Sequence, residues 1–158
     1  MRRSKLDKID RKILCNLQND GRMTNVELAR SAGISAPPCL RRVRALEEAG
    51  FIKSYHARVN RAAMGYGVMV FASVKLNSQA ENDLIAFEKH VNSLPSVREC
   101  HMLAGEVDFL LKVVAKDWDA YQEILTKELT AAPNVQSVKS ALSIRSAKDM
   151  PGVPICAD

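Results

Sequence analysis

The chain of 158 residues predicts an α+β protein: an N-terminal winged helix-turn-helix followed by a ferredoxin-like βαββαβ domain. Three observations carry this. Residues 1–61 hold 14 Lys+Arg against 6 Asp+Glu, and residues 62–158 hold 9 against 12, so the net charge of +5 conceals a basic module joined to a mildly acidic one. Three short helical patterns, punctuated by glycine, fill the basic part. In the remainder strand–helix–strand recurs twice, with SLPSV (93–97) and AAPNV (131–135) marking the same joint in each half.

Leu6, Ile9, Ile13 and Leu17 recur at helical spacing and predict a first helix over 6–18. Asn19-Asp20-Gly21 ends it, with Gly21 in the place where a left-handed cap is cheapest. Thr24 opens a short second helix as the capping box T-N-V-E, which Gly33 closes. Ser35 stands as the N-cap of a third helix near 36–48, with Pro37 and Pro38 in its first turn. On a helical wheel Ala36, Cys39, Leu40, Val43 and Leu46 face the other helices. Pro37, Pro38, Arg41 and Ala45 lie opposite, with Arg42 and Arg44 on the flanks. A Ser-capped basic helix after a tight glycine turn is the reading helix of a helix-turn-helix, and the partner it suits is double-stranded DNA.

FIKSYHARVN (51–60) alternates and predicts a small wing or a connecting strand. The boundary between domains falls near 60–66, giving a DNA-binding domain over 1–60, a second domain over 61–147 and an extended tail over 148–158. In the second domain strands are expected at 68–76, 97–103, 108–114 and about 135–144, and helices at 80–93 and 118–129. Such a fold is one antiparallel sheet with both helices on one face. The strands are apolar on both faces, so the open face is expected to pack against a second subunit. Cys100, Met102, Leu111 and Val113 are the candidates for that surface, although either alternate set satisfies the pattern.

Other classes are set aside by composition. No uncharged run approaches the ~20 apolar residues of a membrane span, and the basic start lacks the apolar stretch of a secretory signal. The expected location is the cytoplasm, in association with the nucleoid. Cys15, Cys39, Cys100 and Cys156 are dispersed without a CxxC pair, and read as packing thiols in a reducing compartment. His101 beside Cys100 is too little for a metal site, so neither metal nor cofactor is expected.

Within the expected reading helix, Pro38, Arg41, and Arg42 or Arg44 are assigned to bases, with Pro37 on the same exposed side. The Ser35 hydroxyl, the amides near Thr24 and Asn25, and Lys53 are assigned to phosphates. A dimer would present two copies of this helix about 34 Å apart.

The run from Leu6 to Asn60 resembles the N-terminal module of the Lrp/AsnC (leucine-responsive/asparagine regulator, feast/famine) family. GEVDFLLKV at 105–113 is similar to that family's effector-domain turn. The resemblance spans roughly 5–150. It implies a transcription factor that dimerises through its sheet, assembles further into tetramers or octamers, and binds a small effector, usually an amino acid, between dimers. It points to the turn Leu103-Ala104-Gly105-Glu106-Val107-Asp108, in which Gly105 would let amides approach a carboxylate and Asp108 would accept from an ammonium. It also implicates Trp118, Ala141, Leu142 and Ser143. The siroheme decarboxylases share the architecture, but their tetrapyrrole chemistry calls for converging Arg and His. The second half offers only His90, His101, Arg98 and Arg145. A DNA-wrapping protein without effector shares every DNA-binding feature and differs in its salt slope.

Overall fold

The computed structural model describes residues 6–155, and Cys156 lies outside them. The chain forms two compact units, residues 59–147 and residues 1–58 together with 148–158. The C-terminal tail thus belongs to the first unit, although the sequence suggested a separate extended segment.

The first unit holds α1 (Lys8–Asn19), α2 (Asn25–Ala32) and α3 (Ala36–Glu48). Helix α1 opens on a capping box the sequence reading passed over: Asp7 accepts from the Asp10 amide while the Asp10 carboxylate accepts from the Asp7 amide. Its end differs as well. The C-cap is Asp20 in extended conformation, and Gly21 is not left-handed. Helix α2 has the expected Thr24–Glu27 box and ends on Gly33 at φ 75°, a conformation in which any Cβ would be strained. Ile13, Leu28, Ala29, Ala32, Cys39 and Leu46 form the core between the three helices. Residues 52–60 form neither helix nor strand, so the expected wing has no paired strand within a single chain.

The tail returns to α1. Gln18 donates from Nε2 to the Val153 carbonyl (2.8 Å) and accepts from the Val153 amide at Oε1 (3.0 Å). Gly152, at φ 70°, lies so close to Gln18 that a Cβ there would collide with its amide. Arg58 pairs with the Asp149 carboxylate and donates to its carbonyl. Cys15 on α1 is disulfide-bonded, which corrects the expectation of a packing thiol; Cys39 and Cys100 are free. Burial pushes both of those thiols up, away from a reactive thiolate.

The second unit runs β1 (Val68–Leu76), α4 (Glu81–Asn92), β2 (Val97–Met102), β3 (Phe109–Ala115), α5 (Trp118–Ile124) and β4 (Val135–Leu142), α5 continuing into a π-helical turn at Leu125–Leu129. The four strands are antiparallel in the order β2-β3-β1-β4, as the ferredoxin-like reading requires. Val70, Ala72 and Val74 of β1 and Phe109, Leu111 and Val113 of β3 are fully buried against the helices, with the Phe87 ring of α4 tilted 40° against that of Phe109, centroids 4.7 Å apart. Leu111 and Val113 are therefore core, not open face, and Cys100 packs against the same core. The side chains on the other face of the sheet are the alternate set: Phe71, Ser73 and Lys75 on β1, Leu110, Lys112 and Val114 on β3. Lys112 there donates to Glu99 of β2 at 2.8 Å.

Candidate nucleic-acid interface and effector site

Helix α3 owes its orientation to an apolar stripe at Cys39, Val43 and Leu46, which docks on α1 and α2. The opposite face carries exposed Pro37, Arg41 and Arg44, with Pro38 half-buried beside them. Two placements depart from expectation. Leu40, assigned inward, is 40% exposed. Arg42, assigned to bases, turns back across the unit: its Nη1 donates to Asp10 Oδ1 at 2.7 Å and to Asp7 Oδ2 at 2.8 Å. The Asp10 and Asp7 carboxylates favour the charged guanidinium, and the Asp10 amide, aided by Arg42, holds the Asp7 carboxyl below its usual value. Arg42 is a brace between α3 and the start of α1.

The residues assigned to phosphates divide in the same way. Thr24 spends its amide (2.8 Å) and hydroxyl (2.7 Å) on Glu27, whose own amide returns a bond, so Thr24 has no donor left for a phosphate. The Asn25 side chain donates to the Ala36 carbonyl at 2.9 Å and ties α2 to α3. Ser35 occupies the N-cap of α3 without a side-chain cap bond, leaving an exposed hydroxyl beside the helix start. Lys53 is exposed beyond α3.

In the second unit the expected effector residues fall into two groups. The turn 103–108 joins β2 to β3, with Leu103, Ala104, Gly105 and Glu106 exposed. Asp108 is the exception, at 6% exposure. Its carboxylate accepts from the Leu76 amide at 2.7 Å and from Gln79 Nε2 at 2.8 Å, while its own amide donates to the Val74 carbonyl. Asp108 thus locks the turn to the end of β1, and its two oxygens are already engaged. Gly105 has no positive φ, and a Cβ there would meet nothing, so the space over the turn is open.

The second group lies at the opposite end of the sheet. Ala141 and Leu142 pair with Phe71 and Val70, and the Ser143 amide donates to the Met69 carbonyl. Trp118 starts α5 just after β3, at the same end; it is 46% exposed, with its ring 5.4 Å from that of Tyr121. Three to five steps along β1 separate the two groups, from Phe71 opposite Ala141 or Met69 beside Ser143 to Val74 beside Asp108, about 10–17 Å at strand spacing. One chain does not bring them together. A cavity of about 230 Å³ does open beside the turn, lined by Ser73, Lys75, Glu106, Val107, Ser137 and Lys139. Four of these, Ser73, Lys75, Ser137 and Lys139, escaped the sequence reading. Their signal was the pairing of Ser73 with Lys139 and of Lys75 with Ser137, which depends on strand register.

Among the described residues no three His, Cys, Asp or Glu side chains cluster as a metal would require, and no helix is long and apolar enough to cross a membrane.

Comparison with known proteins bears on both units. The family model for a winged helix-turn-helix DNA-binding module matches residues 6–53, and that for the Lrp/AsnC ligand-binding domain matches residues 69–153. A leucine-responsive regulatory protein of Rhizobium meliloti (strain 1021) is 52% identical over 147 residues, covering 93% of this chain and 94% of that protein. The Bkd operon transcriptional regulator of Pseudomonas aeruginosa is 42% identical over 143 residues, covering 90% and 94%. Among solved structures, a transcriptional regulator of Neisseria meningitidis in complex with L-Met superposes with a TM-score of 0.91 at 34% identity, over 96% of this chain and 97% of that one. AsnC of Escherichia coli gives 0.84 at 26% identity, over 94% and 97%. These relatives are regulatory proteins. With a basic reading helix in one unit and a ligand-binding domain in the other, the chain is a DNA-binding transcriptional regulator of the Lrp/AsnC family.

Proposed function

We propose that this regulator senses an amino acid in a site completed by two chains of a homo-oligomer, and that occupancy changes how the oligomer holds its reading helices on DNA. The observation that carries the reading is the separation of the effector residues to opposite ends of β1. The turn at 103–106 of one chain would face Trp118 and Ala141–Ser143 of another. Glu106, exposed on the turn, takes the ammonium, and the amides around Gly105 take the carboxylate. Asp108 supports the turn from beneath. The apolar members of the open sheet face, Phe71, Leu110 and Val114, suit a dimer contact, as isolated exposure of all three on a sheet is costly. The L-Met held by the Neisseria relative favours an amino acid as effector.

On DNA, Arg41 and Arg44 read base edges from α3, with Pro37 and Pro38 shaping its entry, while Ser35, the Asn25 amide and Lys53 hold phosphates. The protein works at the nucleoid in the cytoplasm. A thermal-shift screen against the twenty amino acids tests the effector reading. A rise in Tm of the intact oligomer with one or a few of them supports it through ligand linkage, and no response to any of them refutes it.

A further inference from the structure

The exposed face of α3 carries a leucine among its arginines. Pro37, Leu40, Arg41 and Arg44 stand at i, i+3, i+4 and i+7, so they share one stripe of the helix, and all four are exposed. Leu40 is the only large apolar side chain of α3 among the exposed residues. The fold does not call for it there. Cys39, Val43 and Leu46 already supply the buried stripe, and Leu40 stands outside the core they form. A single exposed leucine is unremarkable on an ordinary surface. This one sits in the first half of the reading helix, the part a helix-turn-helix brings nearest to base edges. It is flanked by Arg41, and the withdrawal of Arg42 to Asp7 and Asp10 removes the competing charge from that side. In the major groove an apolar side chain has one partner that distinguishes a base pair, the C5-methyl group of thymine.

We propose that Leu40 is a specificity-determining residue that packs on a thymine methyl, next to the contact made by Arg41. The proposal rests on the reading that α3 enters the major groove, and extends it from arginine-to-guanine recognition to a thymine preference at the adjoining position. Burying one methyl group corresponds to roughly a fourfold change in affinity.

The test uses the full-length protein and a duplex enriched by it from a random library. Each thymine is replaced in turn by deoxyuridine, which removes the methyl and leaves every hydrogen-bonding group in place. The expected result is a loss of about fourfold at one thymine in each half-site for the native protein. For Leu40→Ala, the thymine and uracil duplexes should bind equally, with unchanged Tm and unchanged salt slope. Indifference of the native protein to uracil at every position would overturn the proposal, as would a Leu40→Ala protein that keeps the full penalty. Arg41→Ala and Arg44→Ala, assayed on specific and scrambled duplexes, separate the two levels. If both leave the ratio of specific to scrambled affinity unchanged, the reading of α3 itself has failed. If they lower it while uracil has no effect, only the role of Leu40 has.

Discussion

Asp108 is expected to hold the effector turn, and its removal should be felt in stability before it is felt in binding. Truncation to alanine deletes two charge-assisted bonds. One partner, the Leu76 amide, is in the buried end of β1, and losing its acceptor costs about 1–3 kcal/mol. The other, Gln79, is exposed and can turn to water, so that bond adds only about 0.5–1 kcal/mol. The sum, about 1.5–4 kcal/mol, corresponds in a unit of this size to a fall in Tm on the order of 15 °C. Asp108→Asn is the informative companion. Its Oδ1 can still accept from Leu76, and Gln79 can flip its amide to accept from the new Nδ2, so a loss of about 1 kcal/mol is expected. Calorimetric unfolding of both variants, followed by effector titration of Asp108→Asn, separates support from ligation. An Asp108→Ala protein that melts with the native one would refute the account of the turn. An Asp108→Asn protein with native stability and no effector affinity would return Asp108 to the ligand.

Other perturbations have distinct signatures. Arg42→Ala should lower the Tm of the DNA-binding unit and weaken specific and scrambled duplexes alike, whereas Arg41→Ala should leave the Tm unchanged and cost about 1–3 kcal/mol on the specific duplex alone; gel-shift titrations with both duplexes decide. Tyr55 donates to Glu47 at 2.8 Å, and burial together with that bond pushes its hydroxyl up to about 12. Because the folded value lies above the unfolded one near 10, its contribution is intact below pH 10 and lost between pH 10 and 12. Ultraviolet titration should show late phenolate ionisation that Tyr55→Phe reduces by one group, the remainder including buried Tyr121, whose hydroxyl burial also pushes up. Gly152→Ala should drive Gln18 away from Val153 and release the tail from α1, which limited proteolysis would detect as faster cleavage after Lys148.

Much of this fold could be read from local pattern, because caps and periodicity are local physics. The Thr24–Glu27 box and the αββαβ spacing after β1 fall where the sequence puts them. What escaped depended on partners distant in sequence. Arg42 looked like a flank of the reading helix because a wheel of α3 does not contain α1. Yet L-D-K-I-D carried its own capping signature, which would have placed two carboxylates at a helix start in search of a cation. Leu40 falls inward on a helical wheel because five nominally apolar positions make a stripe wider than the core needs. The parity of the sheet was open by hydrophobicity alone, since Leu110 and Val114 match Leu111 and Val113. Lys112, at the parity of Leu110, resolves it, because a lysine cannot enter the helix-covered core without a partner. The tail's return to Gln18, across 135 residues, left no trace in local pattern.

The central claim is that two chains complete each effector site, and mixed oligomers test it directly. Gly105→Val would fill the space over the turn, and Trp118→Ala would remove the wall at the other end of the sheet. Each protein alone should give no calorimetric binding of the amino acid that shifts the native Tm. When the two are co-expressed, sites formed by the intact turn of one chain and the intact Trp118 of the other should reappear, at up to about a quarter of the total for random assembly. Recovery of those sites with native affinity is the predicted result. Mixed oligomers that bind nothing, while each variant remains folded and bound to DNA, would contradict it.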